Sequence, residues 1–424
     1  MAHRSGSPMR GGELSRRGFL QVLVVSGGAA LLAACQSAPA AAPTTAPKPA
    51  AEPTAAPAAA APKAAAPTSA SAQAASGGAS TADWEELQRL AKQEGEVVVS
   101  MGRAASRQIS PVFKQFEEKF NVKVTGLIGS GTENAQKVLA ERDTGLFTAD
   151  VWMGGLTSMN TQLAPKGALD PIAPLFMLPE IKDESLWFGG KHLYGDKERK
   201  LIFLFAASPT DYLAYNTNLV KVDEIQSWWD LLDPKWKGKI VGRDPTVAGT
   251  GGSLLGFYFT PSLGQDFLKR LYTEQEIVLT RDGRQGAEWL ALGKYQLYFL
   301  PSGSDPEEAK AQGLPVDTVV RPMKEGAWVN SGGTGTIAPM NKAPHPNAAK
   351  LFINWWLGKD AQLAYQKVNP LDESLREDIS KDDVDPNYRR KPGVTYTHLD
   401  ADPNIMGRDG EPNEFMKKVI EARG

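Results

Sequence analysis

The sequence predicts an α/β protein of two lobes, with a ligand cleft between the lobes. Three observations support this fold class. The folded part that follows a low-complexity N-terminal region is about 340 residues, which is long for one hydrophobic core and suits two lobes. Apolar β-branched segments then alternate with amphipathic ones in the order βαβαβ. A second group of strand-loop-helix units follows from residue 239 onward.

Residues 1–35 have the features of an export signal. The apolar run Phe19–Ala34 follows two adjacent arginines and is too short and too rich in Gly and Ala to span a bilayer comfortably. The segment Ser15–Leu20 resembles the twin-arginine export motif, and Leu32–Cys35 resembles a lipobox, whose cysteine becomes lipidated. Cys35, the only cysteine of the chain, is therefore the predicted lipid attachment site. The alternative is a plain signal sequence with an incidental cysteine.

Residues 36–82 are dominated by Ala, Pro, Thr and Ser and show no hydrophobic periodicity. Such a segment cannot bury enough surface to offset the entropy lost on ordering, so we expect a disordered tether. At about 3.1 Å per residue it would hold the folded part at most on the order of 140 Å from a membrane. The predicted location is extracytoplasmic, in the periplasm or at the cell surface, with Cys35 anchored in the outer face of the cytoplasmic membrane.

The composition of the chain excludes several function classes. The net charge is −2 and no basic block occurs, which argues against nucleic-acid binding. The four histidines lie far apart, and neither His-Glu-x-x-His nor Cys-x-x-Cys occurs, so no metal site is predicted. No segment after Cys35 is apolar enough to cross a membrane. We expect a monomer without a cofactor.

The elements of the first lobe begin with a helix and a buried strand. Asp83 is expected to cap a helix from Trp84, and the apolar run 96–101 is typical of a strand covered on both faces. Ser110 and Pro111 indicate the start of the next helix, because serine caps helices and proline suits their first turn. Strand 122–125, a helix through residues 138 and 139, and strand 149–153 follow. Right-handed crossovers would make this sheet parallel.

Three loops rich in small residues follow these strands, at the sheet edge where open parallel sheets bind ligands. They cover residues 102–106, 129–133 and 154–155. Ser130 and Thr132 lie at the start of the next helix, whose free N–H groups and dipole favour anionic or strongly polar groups. The alternative is that each loop is an ordinary cap or turn. The candidate ligand-binding residues of this lobe are Arg103, Ser106, Ser130, Gly131, Thr132 and Gly154.

The second lobe is predicted to contain two similar units. A strand over 239–243 leads through the glycine-rich loop 244–253 into an apolar helix from Leu254, and a strand over 295–300 leads through 301–305 into a helix from Pro306. The glycine-rich loop lacks the lysine of a phosphate-cradling nucleotide loop and the third glycine of a dinucleotide loop, which argues against a nucleotide. The candidate ligand-binding residues of this lobe are Gly249, Thr250, Gly251, Ser302 and Gly303.

Three segments resemble those of the extracellular solute-binding proteins of ABC importers, in the branch that includes ferric-iron binders. Trp228–Ile240, which reads WWDLLDPKWKGKI, is the most specific, and Leu213–Thr217 and Gly326–Ser331 are similar to segments that cross between the lobes. The resemblance implies a type II periplasmic-binding-protein fold that closes around a small solute and delivers it to a membrane permease. We expect the hinge near Tyr215 and Asn330. The candidate site is extended by Tyr215, Asn330 and Ser331.

The predicted domain boundaries follow from these assignments. Beyond the signal and the tether, residues 83–214 together with about 331–370 form lobe 1, and residues 215–330 form lobe 2. Residues 371–424 form a C-terminal segment that packs on the lobes. This segment is polar and ends in an amphipathic helix, and we expect it to wrap across the back of a lobe.

The predicted solute is a small anionic or polyhydroxylated organic molecule, such as a phosphonate, a sugar phosphate or a carboxylate, with Arg103 or Arg107 pairing with its charge. Ferric iron or an iron chelate is the alternative solute. The resemblance implies that ferric binders use adjacent tyrosines, and no such pair occurs in this chain. A tethered hydrolase is the alternative function, but no Gly-x-Ser-x-Gly elbow or zinc-binding helix occurs. We therefore expect a binding protein and not an enzyme.

Overall fold

The computed structural model describes residues 80–210, 212–247, 250–301, 305–331 and 333–423. The predicted signal and almost all of the predicted tether lie outside these described residues, and with them the predicted lipidation site Cys35. Three candidate ligand-binding residues also lie outside them, namely Gly249, Ser302 and Gly303.

The described residues form helices, strands, short 3-10 turns and one π-helical segment, Met159–Leu163. The helices are α1 (Thr81–Glu94), α2 (Arg103–Phe120), α3 (Gly131–Asp143), α4 (Leu156–Ser158), α5 (Pro179–Lys182), α6 (Gly251–Phe259), α7 (Gly264–Glu274), α8 (Gly283–Ala291), α9 (Asp305–Ala311), α10 (Pro346–Leu357), α11 (Lys359–Val368) and α12 (Gly410–Glu421). The strands are β1 (Glu96–Gly102), β2 (Lys123–Gly129), β3 (Val151–Met153), β4 (Leu193–Tyr194), β5 (Phe203–Leu204), β6 (Ser208–Pro209), β7 (Leu213–Asn216), β8 (Ile240–Arg243), β9 (Val278–Thr280), β10 (Leu297–Phe299), β11 (Val316–Thr318), β12 (Ala327–Asn330), β13 (Thr336–Pro339) and β14 (Tyr396–His398).

Lobe 1 is built on a six-stranded sheet in the order β2-β1-β3-β13-β5-β4. β1 pairs in parallel with both β2 and β3, which confirms the predicted parallel βαβαβ unit. β13 returns to this sheet antiparallel to β3 and β5. The apolar residues of β1 are buried together with rings from α2 and α10, including Phe116, Phe352 and Trp356. Burial of these faces is the main stabilising contribution to the lobe.

Lobe 2 is built on a five-stranded sheet in the order β11-β7-β10-β8-β9. β8 pairs in parallel with β9 and β10, whereas β7 is antiparallel to β10 and β11. Trp228 and Trp236 of the tryptophan-rich segment are buried in its core, and Trp228 stacks on Trp328 with ring centroids 6.0 Å apart. The most specific segment of the sequence resemblance therefore serves the packing of this lobe.

A third, three-stranded sheet lies where the chain passes between the lobes. Its order is β14-β12-β6. β6 precedes lobe 2 and β12 ends it, and the C-terminal strand β14 pairs in parallel with β12. α12 then packs on α6 and α7 of lobe 2. This arrangement confirms the predicted α/β fold of two lobes joined by crossing segments.

Two helix starts in lobe 1 differ from the prediction. The N-cap of α1 is Ser80, and Asp83 instead completes a capping box with it, so the cap lies three residues before the expected position. α2 begins at Arg103 and contains Pro111 in its interior. The apolar face of α2 already starts at Ala105 and Ile109, which are buried. The packing of this longer face outweighs the roughly 3 kcal/mol that an interior proline costs a helix.

One prediction for lobe 2 also needs correction. The helix expected from Leu254 begins at Gly251, so the glycine-rich loop is shorter than predicted. The segment Trp228–Leu232 is a 3-10 helix that follows the N-cap Ser227. Pro234 follows closely and cannot continue a helix from the preceding turn, which limits the element to this length.

Candidate functional site

A cavity of about 680 Å³ lies between the two lobes, a size that suits a small-molecule ligand. Residues of both lobes, of the crossing sheet and of the C-terminal segment line it. Three of the candidate residues line this cavity, namely Gly131, Thr132 and Asn330.

The lobe 1 wall contains the N-terminus of α3 and the segment that follows β3. Ser130 caps α3: its hydroxyl accepts a hydrogen bond from the Glu133 N–H at 3.2 Å, and its own N–H donates to the Glu133 carboxylate at 2.9 Å. This capping box leaves the N–H groups of Gly131 and Thr132 without a partner among the described residues. Gly155 of the predicted loop 154–155 also lines the cavity, but the sequence prediction missed the rest of this wall, which comprises Leu156, Thr157, Ser158, Asn160, Thr161 and Gln162.

Arg103 and Ser106 lie outside the cavity lining, in the first turns of α2. The Arg103 guanidinium pairs with Glu133 at 2.9 Å, with both side chains largely exposed. The backbone hydrogen bond from Ser130 and then the Arg103 guanidinium lower the pKa of Glu133. The Ser106 hydroxyl donates to the Arg103 carbonyl at 3.0 Å, as in an ordinary helix turn. The loop predicted at this strand end is thus part of a helix.

Gly154 serves close packing between the first lobe and the crossing region. Its φ of +72° lies in the left-handed region, and a Cβ at this position would lie 1.9 Å from the carbonyl oxygen of Gly333. The Trp152 indole N–H donates to the Gly154 carbonyl at 3.0 Å, and this ring is buried in lobe 1. The neighbouring Gly155 is the residue of this turn that lines the cavity.

Arg243 is the positively charged residue of the cavity lining. It ends β8, and among the described residues no carboxylate lies within ion-pair distance of its guanidinium. The adjacent Asp244 pairs instead with Arg281 at 2.8 Å, so the local pair suggested by sequence adjacency does not form. Burial would raise the pKa of Asp244, but hydrogen bonds from Thr246 and Arg281 outweigh it and lower the pKa. Arg243 is therefore available to a ligand.

The N-terminus of α6 forms the neighbouring part of the lobe 2 wall, through Gly252 and Ser253. Thr250 does not line the cavity: it is buried, and its hydroxyl donates to the Pro245 carbonyl at 2.9 Å and the Val247 carbonyl at 2.6 Å. Gly251 also has a packing role, because a Cβ there would lie 2.1 Å from the carbonyl oxygen of Asp409.

The crossing region contributes Tyr212 and Asn330 to the cavity. Tyr215, the predicted hinge and ligand residue, is buried inside lobe 2, in register with Leu297 of β10, and does not line the cavity. Ser331 is also buried, and its N–H donates to the Asp400 carboxylate at 2.6 Å. Tyr215 instead packs in the hydrophobic core of lobe 2. The sequence likeness alone did not reveal this position.

The C-terminal segment contributes a wall that the sequence analysis placed elsewhere, across the back of a lobe. Its lining residues are Leu399, Asp400, Met406, Gly407 and Asp409. Burial raises the pKa of Asp400 to about 6, against the hydrogen bond from Ser331, and the nearby Asp409 raises it further. Burial likewise lowers the pKa of His398 to about 3, helped by the positive charge of Arg390. Burial therefore shifts the pKa values of Asp400, which lines the cavity, and of His398, which lies two residues before it.

Two features are absent from the described part of the chain. Among the described residues, no group of three or more His, Cys, Asp and Glu side chains could hold a metal ion. No helix in the described part of the chain is long and apolar enough to cross a membrane.

Comparison with known proteins identifies the family. The family model for bacterial extracellular solute-binding proteins matches residues 112–383. The chain belongs to this family. The sequence resemblance is thus confirmed, and solute-binding proteins of this kind bind small solutes and deliver them to ABC permeases. Members of the family are binding proteins and not enzymes.

Similar proteins bind chemically different solutes. An uncharacterized protein of Haemophilus influenzae is 27% identical over 275 residues, which is 61% of this chain and 72% of that protein. The periplasmic binding protein AfuA of Actinobacillus pleuropneumoniae, solved with fructose-6-phosphate, is 23% identical with a TM-score of 0.56, covering 77% of this chain and 98% of AfuA. Iron-bound HitA of Pseudomonas aeruginosa is 18% identical with a TM-score of 0.57, covering 76% of this solute-binding protein and 99% of HitA. At these identities the two structures support the two-lobe fold of this protein.

Proposed function

We propose that this solute-binding protein takes up a small anionic, hydroxylated organic solute in the cavity between its lobes and delivers it to an ABC permease. The observation that carries this proposal is Arg243, a guanidinium in the cavity that no described carboxylate neutralises. A charge in such a cavity is stable when a ligand of opposite sign pairs with it. The fructose-6-phosphate bound to AfuA is a solute of this class.

The remaining polar groups of the cavity suit the same class of solute. The N–H groups at the start of α3 favour an oxyanion, as helix N-termini generally do. Hydroxyl and amide side chains such as Thr132, Thr157, Asn160 and Gln162 can hydrogen-bond to solute hydroxyls. Closure would bend the chain at the crossing sheet of β6, β12 and β14, which joins the two lobes.

Ferric iron is the second candidate solute, because iron-bound HitA shares the fold. The described cavity lining offers one tyrosine, Tyr212, and two carboxylates, Asp400 and Asp409. Hard cations need several oxygen ligands converging on one point, and the described residues contain no such group of acidic and histidine side chains. These donors therefore favour the organic solute over direct iron binding.

A thermal-shift screen with glucose 6-phosphate, methylphosphonate, succinate and ferric citrate tests the proposed class of solute. A ligand at a hundredfold excess over its Kd should stabilise the protein by about 2.7 kcal/mol. Arg243→Ala should weaken binding of the stabilising ligand at least roughly tenfold, which is about 1.4 kcal/mol. Arg103→Ala tests the arginine favoured by sequence, and Arg89→Ala, on the exposed face of α1, is the control. Stabilisation by ferric citrate alone would show that the anion assignment is wrong.

We also propose that the protein is a lipoprotein exported by the twin-arginine route and held at the membrane by Cys35, with residues 36–82 as the tether. The sequence signals described above support this proposal. Cys35→Ser should release the protein into the soluble fraction of fractionated cells, and Arg16→Lys together with Arg17→Lys should block its export. Membrane retention of the Cys35→Ser variant would contradict the lipid anchor.

A further inference from the structure

The described cavity lining contains more negatively than positively charged side chains. Arg243 is the one cation, whereas Asp400 and Asp409 are both anions. The Asp400 carboxylate accepts one hydrogen bond, from the Ser331 N–H at 2.6 Å. Asp409 immediately precedes α12 but makes no capping hydrogen bond with its side chain, and it has no ion pair among the described residues. A solute that carries only negative charge would leave both carboxylates unmatched.

Both carboxylates come from a part of the chain that lies beyond the residues matched by the family model, which end at residue 383. The strand β14 pairs with β12 and so carries residues 399 and 400 to the cavity. The backbone of Asp409 is held against the start of α6, where Gly251 has no side chain to prevent the contact. Strand pairing thus positions Asp400, and backbone packing positions Asp409. Both residues line the same cavity as Arg243.

We infer that the natural solute is a zwitterion, with an oxyanion group that pairs with Arg243 and an ammonium group that pairs with Asp400 and Asp409. This inference rests on the proposed function and narrows its solute class. The C-terminal segment 399–409 is then the part of the protein that selects the ammonium group.

The selectivity follows from the hydrogen-bonding capacity of the groups. An ionised carboxylate only accepts hydrogen bonds, and an ammonium group donates three and carries the complementary charge. A hydroxyl in the same place satisfies one acceptor and leaves the two negative charges uncompensated in a partly desolvated cavity. Burial raises the pKa of Asp400 to about 6, so this carboxylate is mostly ionised at pH 7.5 and able to form the ion pair.

Two matched pairs of probes test the inference by isothermal titration calorimetry at pH 7.5. Glucosamine 6-phosphate and glucose 6-phosphate differ only in the 2-amino group, and 3-aminopropylphosphonate and propylphosphonate differ only in the terminal amine. We expect at least one amino compound to bind roughly tenfold or more tightly than its partner, a difference of about 1.4 kcal/mol. Asp409→Asn and Asp400→Asn should reduce this ratio towards one while the amine-free probe binds at least as well as before.

Asp360→Asn is the control, because this exposed carboxylate is not part of the cavity lining and should leave the ratio unchanged. Equal binding within both pairs, or tighter binding of the amine-free members, would overturn the zwitterion inference and leave the anion proposal standing. An amine preference that persists in both aspartate variants would overturn the assigned role of the C-terminal segment. If none of the four probes bound, the proposed function itself would fail together with the inference.

Discussion

Replacing Asp400 by Asn should make the ligand-free protein more stable at neutral pH, although it removes a group of the binding cavity. Burial raises the pKa of Asp400 from 3.8 to about 6. Each unit corresponds to about 1.36 kcal/mol, so ionisation of Asp400 disfavours the folded state by at most about 3 kcal/mol. Asparagine keeps an oxygen that accepts the hydrogen bond from Ser331 and carries no charge. Partial exposure of Asp400 to water lowers the expected gain to about 1 to 3 kcal/mol.

The direction of the pH dependence is the sharper test. Because the folded state holds this proton more tightly than the unfolded state, the destabilisation is absent below about pH 4, grows between pH 4 and 6, and is complete above pH 6. The difference between Asp400→Asn and wild type should therefore be near zero at pH 4 and largest at pH 7.5. His398 has the opposite sign: its pKa is lowered to about 3, so protonation destabilises the fold as the pH falls below about 6.5.

Urea unfolding at pH 4, 5, 6 and 7.5, without ligand, measures this difference because both proteins contain His398 and its effect cancels. Asp360→Asn removes a charge of the same sign from an exposed site and should show a small difference at every pH. A gain in stability that does not vary between pH 4 and 7.5, or a loss at pH 7.5, would refute the account of Asp400 as a buried, destabilising charge.

Two further substitutions test the packing around the cleft and in lobe 1. Gly154→Ala should destabilise the protein by several kcal/mol in urea unfolding, because its Cβ would meet the Gly333 carbonyl at 1.9 Å, whereas Gly145→Ala, at a φ of +80° with open space around it, should lose only about 1 to 2 kcal/mol. Arg376→Ala should cost about 3 to 5 kcal/mol by the same measurement, because its buried guanidinium makes a bidentate pair with Asp378 at 2.9 Å. Equal effects of the two glycine substitutions, or a change under 1 kcal/mol for Arg376→Ala, would contradict these expectations.

The fold could be predicted where the signal is local and repeated. The β-branched run of β1 and the alternation of apolar and amphipathic segments predicted a parallel βαβαβ unit, and the structure pairs its strands in that way. Prediction failed where packing outweighs local preference. Pro111 suggested a helix start, but buried residues before it extend the apolar face of α2 back to Arg103. Local propensity is a weak guide when a longer face can be buried.

The site could be predicted only in part, for a related reason. The rule that ligands bind beyond the carboxyl ends of parallel strands led to Gly131 and Thr132, which line the cavity. The same rule also selected residues such as Thr250, whose hydroxyl bonds to nearby carbonyl groups within its own turn. Sequence cannot separate a hydroxyl that bonds within its own turn from one that faces a cavity, because both occur in the same kinds of loop.

The C-terminal wall could not have been predicted from local pattern, because its position depends on one long-range pairing. β14 is three residues long, and the polar segment around it has neither helical nor strand periodicity. It gains its place by pairing with β12, the strand that ends lobe 2. Through the 2.6 Å hydrogen bond from Ser331, Asp400 connects the cavity directly to the residue that follows β12. A carboxylate of the cavity lining is therefore held by a hydrogen bond from the residue next to β12, so the shape of this wall depends on the position of the crossing strand.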